Sequence, residues 1–124
     1  MIYLDTHVVV WIYAGELHKL SKAAADQIQR EDLRISPAVI LELEFLHEIH
    51  RLKRTASAIV TTLAKDVGLQ VCDLPFVTVA ENAAEQKWVR DPFDRLIVRH
   101  ASANDAPLVT KDEKIRKHYR RAVW

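Results

Sequence analysis

The sequence predicts an α/β protein, a three-layer α/β/α sandwich around a central parallel sheet. The main observation is that short apolar segments typical of strands alternate along the whole chain with segments that carry helix-capping residues. The composition is that of a globular protein, with 49% hydrophobic and 28% charged residues. Because 124 residues is an ordinary length for one domain, we expect a single domain over residues 1–124.

The N-terminal segment predicts a strand followed by two helices. "MIYLD" is typical of a buried strand that ends at Asp5. The next segment, "THVVVWIYAG", predicts a helix with Thr6 as its N-cap and Gly15 just after its end. Ser21 is a suitable N-cap for a second helix over Lys22–Arg30.

A second strand and two further helices are predicted next. "LRIS" predicts a brief strand, after which the pair Ser36–Pro37 is typical of an N-cap and first helical residue. We expect that helix to extend to about Arg54. Another helix is predicted to begin at Thr55 or Ser57 and to end near Gly68.

The C-terminal half repeats the alternation of strands and helices. "LQVCDL" predicts a strand, and a helix is expected from Pro75 to Trp88. Asp91 and Pro92 are the N-cap and first residue of a helix that reaches about Ala103. "APLVT" predicts a strand, "DEKIRKHY" a short helix and "RAVW" a final strand.

Charge and composition exclude some classes of protein. The net charge of +1 does not indicate a general nucleic-acid binder, but "HEIHRLKR" and "KIRKHYRR" are dense basic segments. Phosphate contact and ordinary solvated surface are both open interpretations of these segments. A single cysteine, Cys72, forms no internal disulfide, which fits a reducing cytoplasm. The longest apolar run, Val8 to Ala14, is far too short to cross a membrane, and no signal peptide is apparent.

Two helices direct a carboxylate towards apolar residues. At about 100° per residue, Asp94 shares one arc with Ile97, Val98 and Ala101. Burial of an unpaired carboxylate costs several kcal/mol, roughly, so this placement requires an explanation.

Glu42 has a similar environment on the earlier helix. Ile49, Leu46, Ala38, Val39 and Phe45 all lie within about 60° of it, so Glu42 is expected near the centre of the apolar arc. Glu44 and Glu48 point elsewhere and are expected to be solvated surface acids.

Two more acids follow strands directly. Asp5 ends the first strand, and Asp112 follows "LVT" by one residue. Ligands of open parallel sheets bind at the carboxyl ends of strands. Each acid has an ordinary structural alternative, namely helix capping, a turn or a buried ion pair. Four converging carboxylates have one common explanation, a hard divalent cation such as Mg²⁺ or Mn²⁺, which suits phosphodiester hydrolysis.

Four segments in order resemble one known family. "IYLDTHVVVWIYAG", "ISPAVILELEFL", "DPFDRLIVRHA" and "PLVTKDEKI" are similar to the four motifs of PIN domains, and within them of the VapC-type toxins of type II toxin–antitoxin pairs. Each motif is weak alone, but the four occur in the expected order over essentially the whole chain.

The resemblance implies a metal-dependent endoribonuclease that cleaves single-stranded or looped RNA. Carried over motif by motif, Asp5, Glu42, Asp94 and Asp112 would form the catalytic and Mg²⁺- or Mn²⁺-binding set. Thr6 and Thr110 would contact these acids through hydroxyl or backbone groups without binding the metal themselves. The family also implies a homodimer and inhibition by a small cognate antitoxin. Asp91 is a second acid in the third motif, and the resemblance assigns it no role.

Two other classes remain as alternatives. A receiver-like phosphorylation module is also α/β, with clustered acids and a lysine, here Lys111, and Asp73 would be its candidate phospho-acceptor. It lacks paired acids at the end of the first strand. A catalytically inactive PIN-type module that binds RNA or protein is the other, although all four acids are present.

Overall fold

The computed structural model describes residues 1–124 and is built on a five-stranded sheet in which every strand is parallel to its neighbours. The strands are short. They are β1 (Ile2–Leu4), β2 (Leu33–Ile35), β3 (Gln70–Val71), β4 (Leu108–Val109) and β5 (Ala122–Val123). Their order across the sheet is β3-β2-β1-β4-β5. After β1, the chain forms β2 and β3 on one side of that strand and then crosses over to form β4 and β5 on the other side. The carboxyl ends of β1 and β4 therefore mark a switch point of the sheet, and ligands bind at such points.

Seven α-helices cover this sheet, which confirms the predicted three-layer α/β/α sandwich. The helices are α1 (Thr6–Ala14), α2 (Lys22–Arg30), α3 (Pro37–Glu48), α4 (Ala56–Val67), α5 (Phe76–Ala83), α6 (Pro92–Ala103) and α7 (Glu113–His118). A short 3₁₀-helix over Leu17–Lys19 follows α1. No helix is long and apolar enough to span a bilayer.

The strand order contradicts the receiver-like alternative. Receiver-type sheets have the order 2-1-3-4-5, whereas here β2 separates β1 from the edge strand β3. Asp73, the candidate phospho-acceptor, follows that edge strand and is exposed to solvent. It does not line the cleft at the end of β1 that is described below.

Most predicted helix starts are confirmed, with one correction. The side chains of Ser21, Ser36 and Thr55 each accept a hydrogen bond from the first turn of the following helix. The prediction that Thr6 caps α1 is wrong. Asp5 is the N-cap, because its backbone is extended and its carboxylate accepts from the Thr6 amide.

Two helices end earlier than predicted. α3 ends at Glu48 and not near Arg54, because His50 adopts a left-handed conformation, with φ of 63°, that a helix does not tolerate. α5 ends at Ala83 and not at Trp88. The amides of Glu85, Gln86 and Lys87 bond to carbonyls two or three residues back, so the chain leaves the α-helical hydrogen-bond pattern.

The core occupies both faces of the sheet. Ile2, Tyr3 and Leu4 of β1 are fully buried, as expected for the central strand of a covered parallel sheet. On α6, Ile97, Val98 and Ala101 are buried, which confirms the predicted inward arc of that helix. Asp94 lies on the same arc, at its end nearest the carboxyl edge of the sheet.

Candidate functional site

All four predicted acids line one cleft. The cleft has a volume of about 330 Å³, and Asp5, Glu42, Asp94 and Asp112 contribute to its walls. They come from four different elements: the end of β1, helix α3, helix α6 and the segment after β4. The cleft thus lies at the carboxyl ends of β1 and β4, at the switch point of the sheet.

Asp5 forms the buried floor of this cleft. It is 4% exposed, and both of its carboxylate oxygens accept hydrogen bonds. The Thr6 amide donates to Oδ1 over 2.8 Å, and the Thr110 hydroxyl donates to Oδ2 over 2.6 Å. His7 Nδ1 lies 3.6 Å from Oδ2. These contacts fix the carboxylate in one orientation.

Thr110 connects the ends of β1 and β4. Its hydroxyl is fully buried, donates to Asp5 and accepts from the Asp112 amide over 3.0 Å. Asp112 in turn caps α7, because its Oδ1 accepts from the Ile115 amide over 2.9 Å. The helix-capping alternative for Asp112 therefore holds for one oxygen, while the side chain still lines the cleft.

Glu42 lies at the edge of the buried face of α3 rather than at its centre. The core contacts of α3 are made by Val39 and Leu43, which are fully buried. Phe45 and Ile49, on the other side of the predicted apolar arc, are 49% and 44% exposed. The predicted central position is wrong because the apolar arc of α3 continues beyond the core onto the surface. Glu42 is half-buried and faces the cleft.

Glu44, on the same helix, also differs from the prediction. It was expected to be a solvated surface acid, but it is half-buried. Its Oε2 accepts from the Ala56 amide over 3.3 Å, so it stabilises the start of α4. Glu48 is exposed, as predicted.

Burial and neighbouring negative charge raise the pKa of two carboxyl groups in the cleft, Glu42 and Asp94. Burial raises the pKa of Asp94 to about 7, and the negative charges of Asp5, Asp91, Asp112 and Glu42 act in the same direction. Burial also raises the pKa of Glu42, with added contributions from Asp5 and Asp91 and an opposing one from the Thr6 side chain. No lysine or arginine forms an ion pair with the four acids. The cleft therefore has an excess of negative charge, with four acids and a single arginine, Arg51, in its lining.

A hard divalent cation fits this environment. All the acidic donors are oxygens, which suits Mg²⁺ or Mn²⁺ rather than a soft metal. The Thr6 hydroxyl oxygen is buried at the cleft without a hydrogen-bond partner. As the side chains stand, no three His, Cys, Asp or Glu residues are close enough to form a closed coordination shell. Mg²⁺ does not require one, because it keeps several water ligands and binds through one or two carboxylates.

Asp91 has a structural role that the motif alone did not assign. It is exposed at the N-cap of α6, where its Oδ1 accepts from the amides of Phe93 and Asp94 over 2.8 and 3.2 Å. This confirms the predicted cap. Its charge also contributes to the raised pKa of Asp94 and Glu42.

Sequence reasoning missed a buried pair that joins the two acid-bearing helices. Ser36 Oγ, at the start of α3, lies 2.8 Å from His100 Nδ1 on α6, and both residues are fully buried. Burial lowers the pKa of His100, so the ring is neutral at neutral pH. No spacing rule relates residue 36 to residue 100, because only the packing of α3 on α6 brings them together.

Comparison with known proteins identifies the class of this fold and site. The sequence model of the PIN domain matches residues 2–121, so the chain belongs to the PIN domain family. Within that family, the chain is 32% identical over 120 residues to Ribonuclease VapC22 of Mycobacterium tuberculosis. That alignment covers 94% of this chain and 91% of the relative. The resemblance inferred from the four motifs is thereby confirmed.

Solved structures share the fold at low sequence identity. VapBC2 from Rickettsia felis, bound to a DNA fragment from its promoter, matches with a TM-score of 0.61 and 19% identity, over 100% of this chain and 98% of that one. A toxin–antitoxin complex from Klebsiella pneumoniae matches with a TM-score of 0.65 and 17% identity, over 100% and 97%. At these identities the likeness establishes the fold alone.

Proposed function

We propose that this protein is a Mg²⁺- or Mn²⁺-dependent endoribonuclease and the toxin of a toxin–antitoxin pair. The observation that carries the proposal is the cleft itself. Four carboxylates from four elements line one cleft at the switch point of the sheet, and no lysine or arginine forms an ion pair with any of them. The relationship to a VapC ribonuclease supports RNA as the substrate. The inactive-module alternative would leave this concentration of charge without a purpose.

In this proposal, Asp5, Glu42, Asp94 and Asp112 hold the ion, one or two of them directly and the others through its water ligands, and Thr6 and Thr110 position these acids. When bound, the ion supplies a lowered pKa for water and charge stabilisation at the phosphate. Asp5 is held by the Thr110 hydroxyl and the Thr6 amide, so it meets the ion in a fixed orientation. Asp94, whose pKa without metal is about 7, must lose its proton for binding, and burial raises the pKa of Glu42 in the same direction.

The direct test is cleavage of total cellular RNA by the purified protein. We expect cleavage with Mn²⁺ or Mg²⁺, loss of cleavage after exhaustive treatment with EDTA, and recovery when excess metal is restored. Asp105→Asn, which changes an exposed acid outside the cleft, is the control and should cleave normally. Undiminished cleavage after chelation would rule out the metal mechanism. Failure of the metal-loaded protein to cleave RNA would remove the nuclease proposal.

The proposed partner is a cognate antitoxin that covers the acidic cleft with a basic side chain. One of the structural neighbours is a VapBC protein and the other is a toxin–antitoxin complex, which supports this class of partner. An acidic cleft attracts a basic group, and that group competes with the metal.

A homodimer is also proposed. Exposed apolar side chains on α3, directly after it and on α5 support such protein contacts: Leu41, Phe45, Ile49, Phe76 and Val77. We place the activity in the cytoplasm, where free Cys72 stays reduced.

The partner is tested by growth. Expression of the protein alone is expected to arrest growth, and co-expression with the adjacent small gene should relieve the arrest. The Asp5→Asn variant should be harmless whether or not the partner is present. Arrest that persists although the two proteins form a stable complex would contradict inhibition at the cleft.

A further inference from the structure

The segment between α3 and α4 carries three cations that have no partner within the chain. Arg51, Lys53 and Arg54 are exposed, and none of them forms an ion pair. We refer to these three residues as the basic loop. Three exposed cations within four positions concentrate positive charge, so this loop is a surface available to an anionic partner.

The basic loop begins inside the acidic cleft. Apart from His7, Arg51 is the only basic residue in its lining. A second depression, of about 450 Å³, adjoins the cleft and shares Val10, Arg51 and Leu52 with it. Lys53 and Arg54 line this second depression. The only acid there, Glu16, is already paired with Lys19. A continuous path therefore leads from the four carboxylates to the three cations.

The backbone holds the basic loop in place. After α3 ends, the amides of Arg51 and Leu52 both donate to the Leu46 carbonyl, over 2.9 and 3.2 Å. His47 Nδ1 lies 2.9 Å from the Leu52 carbonyl, and Leu52 packs against the hydrophobic core. The left-handed turn at His50 directs the chain into this arrangement. Arg51 thus lines the cleft because its backbone is fixed, not because a flexible side chain happens to reach it.

The other basic segment of the sequence lies at the opposite edge of the sheet. Helix α7 begins at the cleft with Asp112 and Lys114 and ends before β5, so the later cations of this segment, from Arg116 onwards, lie towards the amino ends of the strands. Arg120 and Arg121 both approach Asp105, which precedes β4 at that edge. Of the two basic segments, one therefore adjoins the cleft and the other lies away from it.

We propose that the basic loop is the subsite that binds the backbone phosphates of the RNA strand next to the scissile bond. This inference rests on the proposed ribonuclease function. The acidic cleft repels RNA, so a strand that enters it needs cations close by to hold its flanking phosphates. The basic loop supplies three of them directly beside the cleft. Its contacts are to phosphate, so they contribute affinity without sequence specificity.

The test measures the salt dependence of binding, in EDTA, to a fluorescent single-stranded RNA oligonucleotide. The triple variant Arg51→Ala/Lys53→Ala/Arg54→Ala is compared with Arg116→Ala/Lys117→Ala/Arg120→Ala, which removes the same charge from exposed positions at the far edge. Each lost phosphate contact lowers the slope of log K against log salt by about 0.7 for single strands, so the basic-loop variant should lose about 2 from the slope. We also expect roughly tenfold or greater loss of affinity at low salt. The far-edge variant should match the parent.

Further variants and outcomes make the test decisive. Arg51→Lys/Arg54→Lys keeps the charges and should keep the slope, whereas a merely structural role for the loop would not be rescued in this way. Equal losses in both triple variants, an unchanged slope in the basic-loop variant, or no RNA binding by the parent would each overturn the inference. Loss of antitoxin binding alone would assign the loop to a protein partner instead. RNA cleavage by the parent is measured in parallel, so failure of this inference is distinguished from failure of the proposed function.

Discussion

Replacement of Asp94 by asparagine is expected to reduce RNA cleavage by about a hundredfold or more, because removal of one positioned electrostatic group from an active site has roughly that effect. The substitution keeps the size of the side chain but removes the ionisable carboxyl group, whose pKa is raised to about 7 by burial and by the other carboxylates. The same change should raise the melting temperature of the metal-free protein at pH 8, because it relieves that repulsion. Cleavage and thermal unfolding are measured on the same preparation.

Asp91→Asn is the matched control for this experiment, because it alters a carboxylate three residues away on the same helix. Asp91 caps α6 through hydrogen bonds from the amides of residues 93 and 94, and asparagine caps a helix about as well. We therefore expect most of the cleavage activity and nearly all of the stability to remain. An inactive Asp91→Asn beside an active Asp94→Asn would reverse the two assignments. If both variants were active, the third motif would be only a helix start.

The acids at strand ends were the most predictable part of the site. In a parallel sheet, all carboxyl ends meet at one edge, so Asp5 and Asp112 must lie near each other once β1 and β4 are neighbours. Asp94 was predictable because α6 has a single buried face and the carboxylate lies on it. Glu42 was found for a partly mistaken reason, since the apolar arc that drew attention to it is half solvent-exposed.

Contacts that depend on where helices end and how they pack were not predictable. The sequence favoured an α3 that continued to Arg54, and a helical backbone would have directed Arg51 differently. Only the left-handed turn at His50 and the double hydrogen bond to the Leu46 carbonyl bring Arg51 to the cleft. A non-glycine residue with positive φ has no reliable sequence signal. The Ser36–His100 pair likewise depends on the packing of α3 on α6.

The metal-free protein is expected to lose stability as the pH rises from about 6.5 to 8. Asp94 has a folded-state pKa of about 7, well above its ordinary value of 3.8, so the folded chain retains a proton that the unfolded chain has lost. The free energy of unfolding therefore falls as the pH rises towards and through 7. Glu42 acts in the same direction. Buried neutral His100 has the opposite effect on the free energy of unfolding below about pH 6.5, the reference pKa of histidine. The range above pH 6.5 therefore separates the contribution of the carboxyl groups from that of His100.

Divalent metal is expected to reverse this loss of stability with rising pH, since an ion bound at the four carboxylates stabilises their ionised forms, which mutual repulsion disfavours. At a Mn²⁺ concentration about a hundredfold above the dissociation constant, linkage stabilises the folded state by about 2.7 kcal/mol, which is a rise of several degrees in melting temperature. At pH 6 the ion must displace the Asp94 proton, and its apparent affinity should fall about tenfold for each pH unit below 7. The rise should therefore be larger at pH 8 than at pH 6.

Two variants test which residues bind the ion. Asp5→Asn should weaken the rise in melting temperature at both pH values, and Asp94→Asn should leave a smaller rise that depends less on pH. An equal Mn²⁺ effect in the parent and in Asp5→Asn would mean that the ion binds elsewhere. A rise in the parent that did not change between pH 6 and pH 8 would remove Asp94 from the ligands.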